Sequence, residues 1–297
     1  MNPTLPSIWL GDFHSKSEFD NKFSNGKNTF EIYDWIDNRL LQSRHPFTYP
    51  AYCVVCEKTT NMRISWMYGG WSNMTESIHP AWTETGVCES CGLNSRMRAL
   101  FDFLKNRIQI KSNMRAYIAE EITPFFRKLK TALPNLTGSE FIGPNIQSGK
   151  KVSTGKFLKR VRHEDLTNLS FDNDSFNLMI TLDVFEHIPN FLSAFEESYR
   201  ILDTNGILVF TIPFFFDREK TTIRATIDSK GEINHLLPPE IHGNPISKDG
   251  SLCFQNFGWD ILDSLKQAGF NEAKASFYWG PWQGHLGYPF FVFSATK

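Results

Sequence analysis

The pattern of apolar residues becomes regular beyond residue 113, where short apolar runs alternate with helical segments. The runs RAYIA, LTGSEFI, FNLMITL and GILVFTIPF are short and rich in β-branched and aromatic residues, so we predict strands there. Helices are predicted between them, at residues 123–133 and 190–202, from the helical spacing of apolar positions. Strands without polar alternation indicate a parallel sheet covered on both faces. We therefore predict an α/β domain with a doubly wound, mostly parallel sheet over residues 111–297.

Three further strands complete the predicted sheet. A short strand is expected near Lys159–His163, and ASFYWG and FFVFSA give two late strands that we expect to pair as an antiparallel end. A last helix is predicted at residues 259–268.

The first 110 residues show less regular patterning. Residues 1–50 are polar and aromatic with one helical segment, FEIYDWIDNRLL, and we interpret them as an N-terminal arm. Residues 51–110 combine a cysteine-containing, loop-rich module with a linker helix that begins at Asn94 or Ser95. The sequence thus predicts three segments, with boundaries near residues 50 and 110.

Length and charge restrict the class of protein. The chain has 297 residues, 41% of them hydrophobic, which is enough for one large core domain and a smaller attachment. A formal net charge of −1 gives no overall positive field and argues against nucleic acid as the partner. The longest strongly apolar run, Ile207–Phe216, is too short to cross a bilayer, and the N-terminus lacks a secretory signal pattern. We expect a cytoplasmic protein without a membrane span.

Acidic residues follow several of the predicted strands. Glu120 and Glu121 follow RAYIA, Glu140 follows LTGS, and Asp183 follows MITL. In a doubly wound sheet, ligands bind beyond the carboxyl ends of the strands. Each acid taken singly is also explained as a helix cap or a solvated loop residue. Their joint positions favour a ligand-binding edge.

The nature of the ligand is suggested by two of the acids. A carboxylate after the second strand suits the paired hydroxyls of a ribose, which favours Glu140. Asp165 follows the third strand and can accept from the exocyclic amine of an adenine, with Leu166 as an apolar neighbour for the ring. The spacing therefore indicates a site for an adenosine group.

A longer run, HEDLTNLSFDNDSFNLMITLDVFEHIPNFLSAFEESYRILDTNGILVFTIPFF, resembles the central block of class I methyltransferases that use S-adenosylmethionine. The resemblance implies a seven-stranded, predominantly parallel sheet with a reversed final strand, and S-adenosylmethionine as the cofactor. It assigns Glu140 to the ribose, Asp165 to the adenine, and Asp183 with Val184 to the wall of the cofactor pocket. It also places Glu186 and His187 at the start of the helix that faces the reacting groups.

The first loop departs from that family. A glycine-rich turn usually follows the first strand, because glycine lets the backbone approach the cofactor closely. Here the stretch is IAEEITPFF, which contains no glycine. The run EEITPFFRKLKTALPNLTGSEF resembles a bacterial subgroup with an acidic first loop and an N-terminal four-cysteine zinc module. That resemblance places Glu120, Glu121 and Thr123 around the amino acid end of the cofactor; loss of cofactor binding is the alternative.

Four cysteines form two CxxC pairs, Cys53 with Cys56 and Cys88 with Cys91. Two such pairs bring four thiolates together, the preference of structural zinc, so we expect a small zinc-ribbon-like module. The gap between the pairs is longer than usual, and the segment WMYGGWSN must form a substantial loop. Disulfides are the alternative, which a cytoplasmic location disfavours. Four cysteine ligands would close the site, so this zinc would not activate water.

The segment after the fifth strand is where the resemblance implies an acceptor pocket. In HLLPPEIHGNP, Glu240 and His242 lie on a proline-rich loop, and either could remove a proton from an acceptor hydroxyl. For His187 two interpretations are open: a role in catalysis, or a structural role at the start of the next helix. The whole segment is equally explained as a structural turn over the sheet.

These observations favour a methyltransferase that acts on an oxygen or nitrogen of a small-molecule or saccharide acceptor. A role in surface polysaccharide synthesis is suggested by analogy with the family alone. The alternative is a non-catalytic, zinc-containing binding protein with a degenerate methyltransferase fold. The basic run GKKVSTGKFLKRVR is typical of a solvated face, with a phosphate site as the minority interpretation.

Overall fold

The computed structural model of this protein describes residues 6–23, 27–41, 43–67, 69–72, 77–153, 160–244 and 246–297. The chain forms two compact units. One consists of Met1–Phe13, Ser17–Gln109 and Ser276–Val292, and the other of His14–Lys16, Ile110–Ala275 and Phe293–Lys297. The three segments predicted from the sequence are contiguous, whereas each unit is assembled from separated stretches. The predicted segment boundaries therefore stay a proposal about domain organisation.

The described residues form α-helices and three shorter helical turns. They are α1 (Lys16–Phe23), α2 (Lys27–Leu40), α3 (Ser95–Asp102), α4 (Pro124–Ala132), α5 (Phe191–Ile201) and α6 (Ile261–Gln267), with a π turn at Phe103–Arg107 and 3-10 turns at Phe185–His187 and Pro281–Gln283. Thr123 caps α4 by accepting a hydrogen bond from the backbone N–H of Phe126 at 3.1 Å. In the described part of the chain, no helix combines the length and apolar character that crossing a membrane requires.

The strands are short except in the centre of the molecule and at its C-terminal end. In chain order they are β1 (Trp9–Phe13), β2 (Phe47–Cys53), β3 (Lys58–Ile64), β4 (Gly70–Ser72), β5 (Ser77–His79), β6 (Val87–Cys88), β7 (Ala116–Ile118), β8 (Leu136–Gly138), β9 (Lys151–Ser153), β10 (Arg160–Arg162), β11 (Phe176–Leu182), β12 (Leu202–Thr211), β13 (Thr222–Ile223), β14 (Ala225–Ile227), β15 (Ile233–His235), β16 (Ile241–His242), β17 (Ser251–Leu252), β18 (Gln255–Asn256), β19 (Glu272–Gly280) and β20 (His285–Thr296).

Seven strands form the central sheet in the order β1-β19-β20-β12-β11-β7-β8. The pairs β8–β7, β7–β11 and β11–β12 are parallel, and β20 runs antiparallel to β12. Leu178 of β11 lies beside Ala116 of β7, which lies beside Leu136 of β8. All of β7 is fully buried, as expected for a parallel strand covered on both faces. The predicted α/β fold with a mostly parallel seven-stranded sheet and a reversed final strand is confirmed.

One of the seven predicted strands does not belong to this sheet. The third strand is β10, which pairs antiparallel with β9 in a separate two-stranded sheet. In β10 Val161 is buried, but Arg160 is exposed and Arg162 half-buried, so the strand cannot be covered on both faces. The seventh strand is β1, which the sequence pattern did not predict.

The first unit contains a three-stranded antiparallel sheet, β2-β3-β6, and the buried arginine Arg98 of α3. The Arg98 guanidinium donates to the carbonyl oxygens of Gly86 at 2.9 Å, of Gly284 at 3.1 Å, and of Gln283. A charged side chain is retained in a core only when such partners compensate its desolvation. Arg98 therefore ties α3 to two separate loops of the same unit.

We expect Arg98→Met to lower the free energy of unfolding by about 3 kcal/mol or more, because it leaves buried carbonyl oxygens without a donor. The control is Arg96→Met in the same helix, which removes a surface ion pair with Glu84 and should cost under about 1 kcal/mol. Chemical denaturation followed by circular dichroism measures both. Equal, small losses for the two variants would contradict this assignment.

Candidate functional site

The carboxyl ends of β7, β8 and β11 lie along one edge of the sheet, because the three strands are adjacent and parallel. The chain passes from β7 to β8 on one side and later returns to β11 on the other side. This change of direction makes the edge between β7 and β11 a topological switch point, where α/β sheets bind ligands. The acids predicted from the sequence all follow these three strands, apart from Asp165.

Glu140 organises this edge. Its side chain is 7% exposed, and Oε1 accepts hydrogen bonds from the backbone N–H groups of Glu121 at 2.7 Å and Ile122 at 3.0 Å. Burial raises the pKa of Glu140, and the two backbone donors oppose that shift by stabilising the carboxylate. Because both bonds go to Oε1, Oε2 keeps the acceptor capacity that a ribose hydroxyl needs.

The first loop is held by its own acidic residues. Glu121 Oε2 accepts from the backbone N–H of Arg162 at 3.1 Å. Thr123 Oγ1 donates to Glu120 Oε1 at 2.5 Å and at the same time caps α4. Glu120, Glu121 and Thr123 thus shape the loop, and contact with a cofactor stays a proposal for all three.

Gly138, at the end of β8, allows the first loop to pack closely on this strand, although the loop itself contains no glycine. A Cβ at this position would lie 2.7 Å from the carbonyl oxygen of Glu120 and 2.6 Å from the ring of Phe126. The loop after β7 therefore packs directly onto the backbone of β8. The glycine within the predicted strand LTGSEFI is the sequence signal for this close packing.

Asp165 and Leu166 lie next to the Glu140 segment. Glu140 pairs with His163 in an isolated parallel bridge, two residues before Asp165. Asp165 Oδ1 accepts from the backbone N–H and the hydroxyl of Thr167, at 2.9 and 2.8 Å, so it stabilises its own turn. Leu166 is 6% exposed. The fold brings together the two segments that carry Glu140 and Asp165, the residues predicted to bind adenosine. Their contacts with a cofactor stay a prediction.

Asp183 ends β11 in a left-handed conformation with φ of 50°. Its Oδ1 accepts from the hydroxyl of Thr211 at 2.7 Å, and its backbone N–H donates to the Thr211 carbonyl at 2.9 Å. A non-glycine residue in this region of φ is strained, and such strain concentrates at functional sites. The bonds to β12 hold the strained Asp183, and with it the following Val184, at the sheet edge.

Glu186 and His187 follow Asp183, but they do not start the next helix as predicted. They lie in the 3-10 turn Phe185–His187, and α5 begins only at Phe191. Asn190 takes the N-cap position of α5, so an ordinary capping residue starts the helix. The turn leaves Glu186 fully buried and His187 half-buried.

The acceptor segment brings His242 and Glu240 to the same turn. His242 Nδ1 lies 3.7 Å from Glu186 Oε1, and His187 Nε2 lies 3.6 Å from the same oxygen. His242 Nε2 lies 2.9 Å from Glu240 Oε1, and Glu240 Oε2 lies 3.2 Å from the Arg224 guanidinium. The structure therefore gathers the three predicted catalytic residues, His187, Glu240 and His242, around one buried carboxylate.

The electrostatics of this cluster follow from that carboxylate. Burial raises the pKa of Glu186 to about 7 and lowers the pKa of His187. Glu186, and after it Glu240, raise the pKa of His242 to about 9 against the effect of burial. The buried carboxylate thus demands a positive charge beside it, which a proton on His242 supplies at neutral pH.

Comparisons with known proteins agree with the sheet and its edge. The family model of a methyltransferase domain matches residues 123–210. The demethylmenaquinone methyltransferase of Staphylococcus haemolyticus is 27% identical over 164 residues, which cover 52% of this chain and 65% of that protein. The match thus spans about two thirds of the length of this curated relative.

The central part of the chain is therefore similar to methyltransferase domains. Solved structures of similar fold include an S-adenosylmethionine dependent methyltransferase from Mesorhizobium loti, with 14% identity, a TM-score of 0.40, and coverage of 66% of this chain and 97% of that one. Another is 1,6-didemethyltoxoflavin-N1-methyltransferase from Burkholderia thailandensis, with 14% identity, a TM-score of 0.37, and coverage of 68% and 78%. The strand order of the central sheet alone places the candidate site.

Besides the methyltransferase domain, the chain carries a cluster of four cysteines. Cys53 and Cys56 lie at the β2–β3 turn, and Cys88 and Cys91 at the turn after β6. The Sγ atoms of Cys53 and Cys91 are 3.8 Å apart, and those of Cys56 and Cys88 are 3.9 Å apart. Four sulfur atoms bound to one zinc ion at about 2.3 Å lie about 3.8 Å from one another. The cluster therefore fits a tetrahedral zinc ion.

The basic run of the methyltransferase domain is only partly described, because residues 154–159 lie outside the described residues. Arg162 donates from Nε to Glu164 and from Nη2 to Ser170, both at 2.6 Å. Both bonds go to protein side chains, so Arg162 stabilises the local structure. The loop predicted at WMYGGWSN likewise includes residues that are not described.

We expect Gly138→Ala to destabilise the methyltransferase domain by about 1 to 3 kcal/mol, because the added methyl group would clash with the Glu120 backbone. Gly143→Ala is the matched control, since a Cβ there meets no atom within 4 Å. Thermal and chemical unfolding measure the difference. A stability of Gly138→Ala equal to that of the control would disprove the close packing of the first loop.

Proposed function

We propose that this protein transfers a methyl group from S-adenosylmethionine to an oxygen or nitrogen of a small-molecule or saccharide acceptor. The observation that carries the proposal is the meeting of Glu140 with the first loop at the switch point of the sheet. A buried carboxylate with one oxygen fixed by backbone donors presents the other in a defined direction. Two ribose hydroxyls require such an acceptor.

Each predicted cofactor ligand has a position consistent with this proposal. Glu140 would accept from the ribose hydroxyls, and Asp165 with Leu166 would border the adenine. Glu120, Glu121 and Thr123 would contact the amino acid end, since they form the loop after β7. Asp183 and Val184 would line the wall where β11 ends. Gly138 allows the loop after β7 to pack closely on β8.

The chemistry asks mainly for alignment, because the sulfonium of S-adenosylmethionine is already reactive toward a nucleophile. The methyl carbon forms a bond to the acceptor atom as its bond to sulfur breaks, and a proton leaves the acceptor. His187, Glu240 and His242 are proposed to face the acceptor and to hold or receive that proton. Burial lowers the pKa of His187, but His187 lies close enough to Asp183 for that charge to oppose the shift, which supports this placement for His187.

The class of acceptor is inferred from the curated relatives and from the sequence. The curated relatives are demethylmenaquinone methyltransferases, which supports a small-molecule acceptor. The saccharide acceptor, the link to surface polysaccharides and the cytoplasmic location come from the sequence alone and stay predictions. Structural zinc at the cysteine cluster is part of the proposal, supported by the sulfur–sulfur distances.

The competing function is a zinc-containing binding protein whose methyltransferase fold no longer binds cofactor. Isothermal titration with S-adenosylmethionine separates the two, and a wild-type protein that releases no heat at millimolar ligand favours the binding protein. We expect Glu140→Gln and Asp165→Ala to weaken binding by about 10- to 100-fold, since each loses a hydrogen bond of about 1.5 to 3 kcal/mol to a charged group.

Two features make this titration specific. Glutamine at position 140 keeps a carbonyl oxygen that can accept from the first loop, so the variant tests ribose binding rather than loop structure. Glu232→Ala, which removes an exposed acid of the same unit, should leave the affinity unchanged. Equal affinity of Glu140→Gln and Glu232→Ala for the cofactor would remove Glu140 from the site.

The zinc site predicts its own spectroscopic signal. Cobalt substituted for zinc at the four cysteines should give an intense thiolate-to-cobalt charge-transfer band, because four sulfur ligands surround the ion. Cys88→Ala should lose most of that band, and Cys253→Ser, which lies outside the cluster, should keep it. A wild-type protein without the band would contradict a tetrathiolate site.

A further inference from the structure

Glu186 is the most unusual side chain of the methyltransferase domain. It is fully buried, and neither of its carboxylate oxygens has a hydrogen-bond partner among the described residues. Leaving such a group unsatisfied costs several kcal/mol, so the carboxylate requires a positive charge beside it, either a proton on a neighbouring histidine or a bound cation. Two histidine nitrogens face it, at 3.6 and 3.7 Å.

These separations are wrong for hydrogen bonds and right for a shared ion. A nitrogen and an oxygen more than about 3.5 Å apart do not form a useful hydrogen bond. Two ligand atoms that each lie about 2.1 Å from one metal ion are about 3 to 4 Å apart. The ligand atoms of Glu186, His187 and His242 all lie within 4.8 Å of one another.

The outer hydrogen bonds of the two histidines fix which nitrogen faces Glu186. His187 Nδ1 lies 2.8 Å from the carbonyl oxygen of Leu252, which can only accept, so Nδ1 carries the hydrogen. His242 Nε2 lies 2.9 Å from Glu240 Oε1, and the other carboxylate oxygen, Glu240 Oε2, lies 3.2 Å from the Arg224 guanidinium. In neutral imidazoles, this leaves the lone pairs of His187 Nε2 and His242 Nδ1 directed to the buried carboxylate.

The backbone around the cluster is held firmly. The carbonyl oxygen of Glu186 accepts from the N–H of Phe254 at 2.8 Å, and the Gln255 side chain donates to the carbonyl oxygens of Phe185 and Ile188. A rigid turn of this kind holds ligands in place before an ion binds.

The geometry points to a second metal site, in which Glu186, His187 and His242 bind a divalent first-row transition-metal cation. Two imidazole nitrogens and one carboxylate oxygen are a donor set that Mn²⁺, Fe²⁺, Co²⁺ and Zn²⁺ accept. Glu240 and the Leu252 carbonyl act as the outer partners that orient metal-binding histidines. The cation takes the place of the proton on His242 as the positive charge beside the buried carboxylate, and both imidazoles are neutral when it is bound.

The neighbouring group Glu240, His242 and Cys253 is a weaker candidate. His242 Nε2 and Glu240 are already at hydrogen-bond distance, and the Cys253 thiol donates to the carbonyl oxygen of Gln255 at 3.2 Å. These atoms satisfy one another, whereas the Glu186 oxygens lack partners.

Three protein ligands leave coordination positions open, as in catalytic rather than structural metal sites. An acceptor oxygen that occupies one of them would lose its proton more readily, because the cation stabilises the oxyanion. This use of the site rests on the proposed methyl transfer, whereas binding of the cation does not.

Manganese is the appropriate probe, because Mn²⁺ prefers oxygen and nitrogen ligands and should not displace zinc from the thiolates. We expect the protein to bind one Mn²⁺ per chain in addition to the zinc ion, as measured by titration with electron paramagnetic resonance. Glu186→Gln and His242→Asn should each weaken this binding at least 10-fold, and Glu240→Gln by about 10- to 100-fold as an outer partner. His235→Asn is the matched control, an exposed histidine of the same segment, and should bind as the wild type does.

The same samples separate this inference from the proposed function, because S-adenosylmethionine binding is measured on them independently by calorimetry. Manganese binding that depends on Glu186 and His242 supports the site even if no cofactor binds. A wild-type protein that binds no Mn²⁺, or Glu186→Gln and His242→Asn proteins that are folded and bind it as tightly as His235→Asn, would overturn the site. Circular dichroism establishes folding, and His242, a half-buried residue of the short strand β16, is the variant expected to tolerate replacement best.

Discussion

The parallel pairing of β8, β7, β11 and β12 is the constraint on which the site depends. Parallel neighbours end at the same edge, so residues far apart in sequence meet there without any specific attraction between them. Hydrogen bonds then fix the details: Glu140 holds the first loop, and Thr211 holds Asp183 in a strained conformation. The chemistry proposed for this edge follows from the order of the strands.

Much of this architecture could be predicted from apolar patterning, because strands covered on both faces are continuous apolar runs. FNLMITL and RAYIA correspond to β11 and β7, and the helix predicted at residues 123–133 corresponds to α4. The pattern failed where burial is partial. β10 alternates polar and apolar residues and pairs outside the main sheet, and β1 is too short and mixed to stand out from the N-terminal arm.

The site was predictable in its residue types but not in its contacts. Acids after strands can be read from a sequence, whereas the close packing at Gly138 and the position of Glu186 between two histidines depend on loops whose course no periodicity encodes. Glu186 was expected merely to begin a helix. Its burial between two imidazoles is the observation from which we infer a bound cation.

The central claim is that this edge of the sheet binds an adenosine group. A crystal structure of the protein with S-adenosylhomocysteine tests it most directly. The account predicts the ribose hydroxyls on Glu140 Oε2 and the adenine between Leu166 and the Asp165 segment, beyond the ends of β7 and β8. A ligand bound elsewhere, or an edge filled by protein side chains with Glu140 and Asp165 directed to different sides, would contradict it.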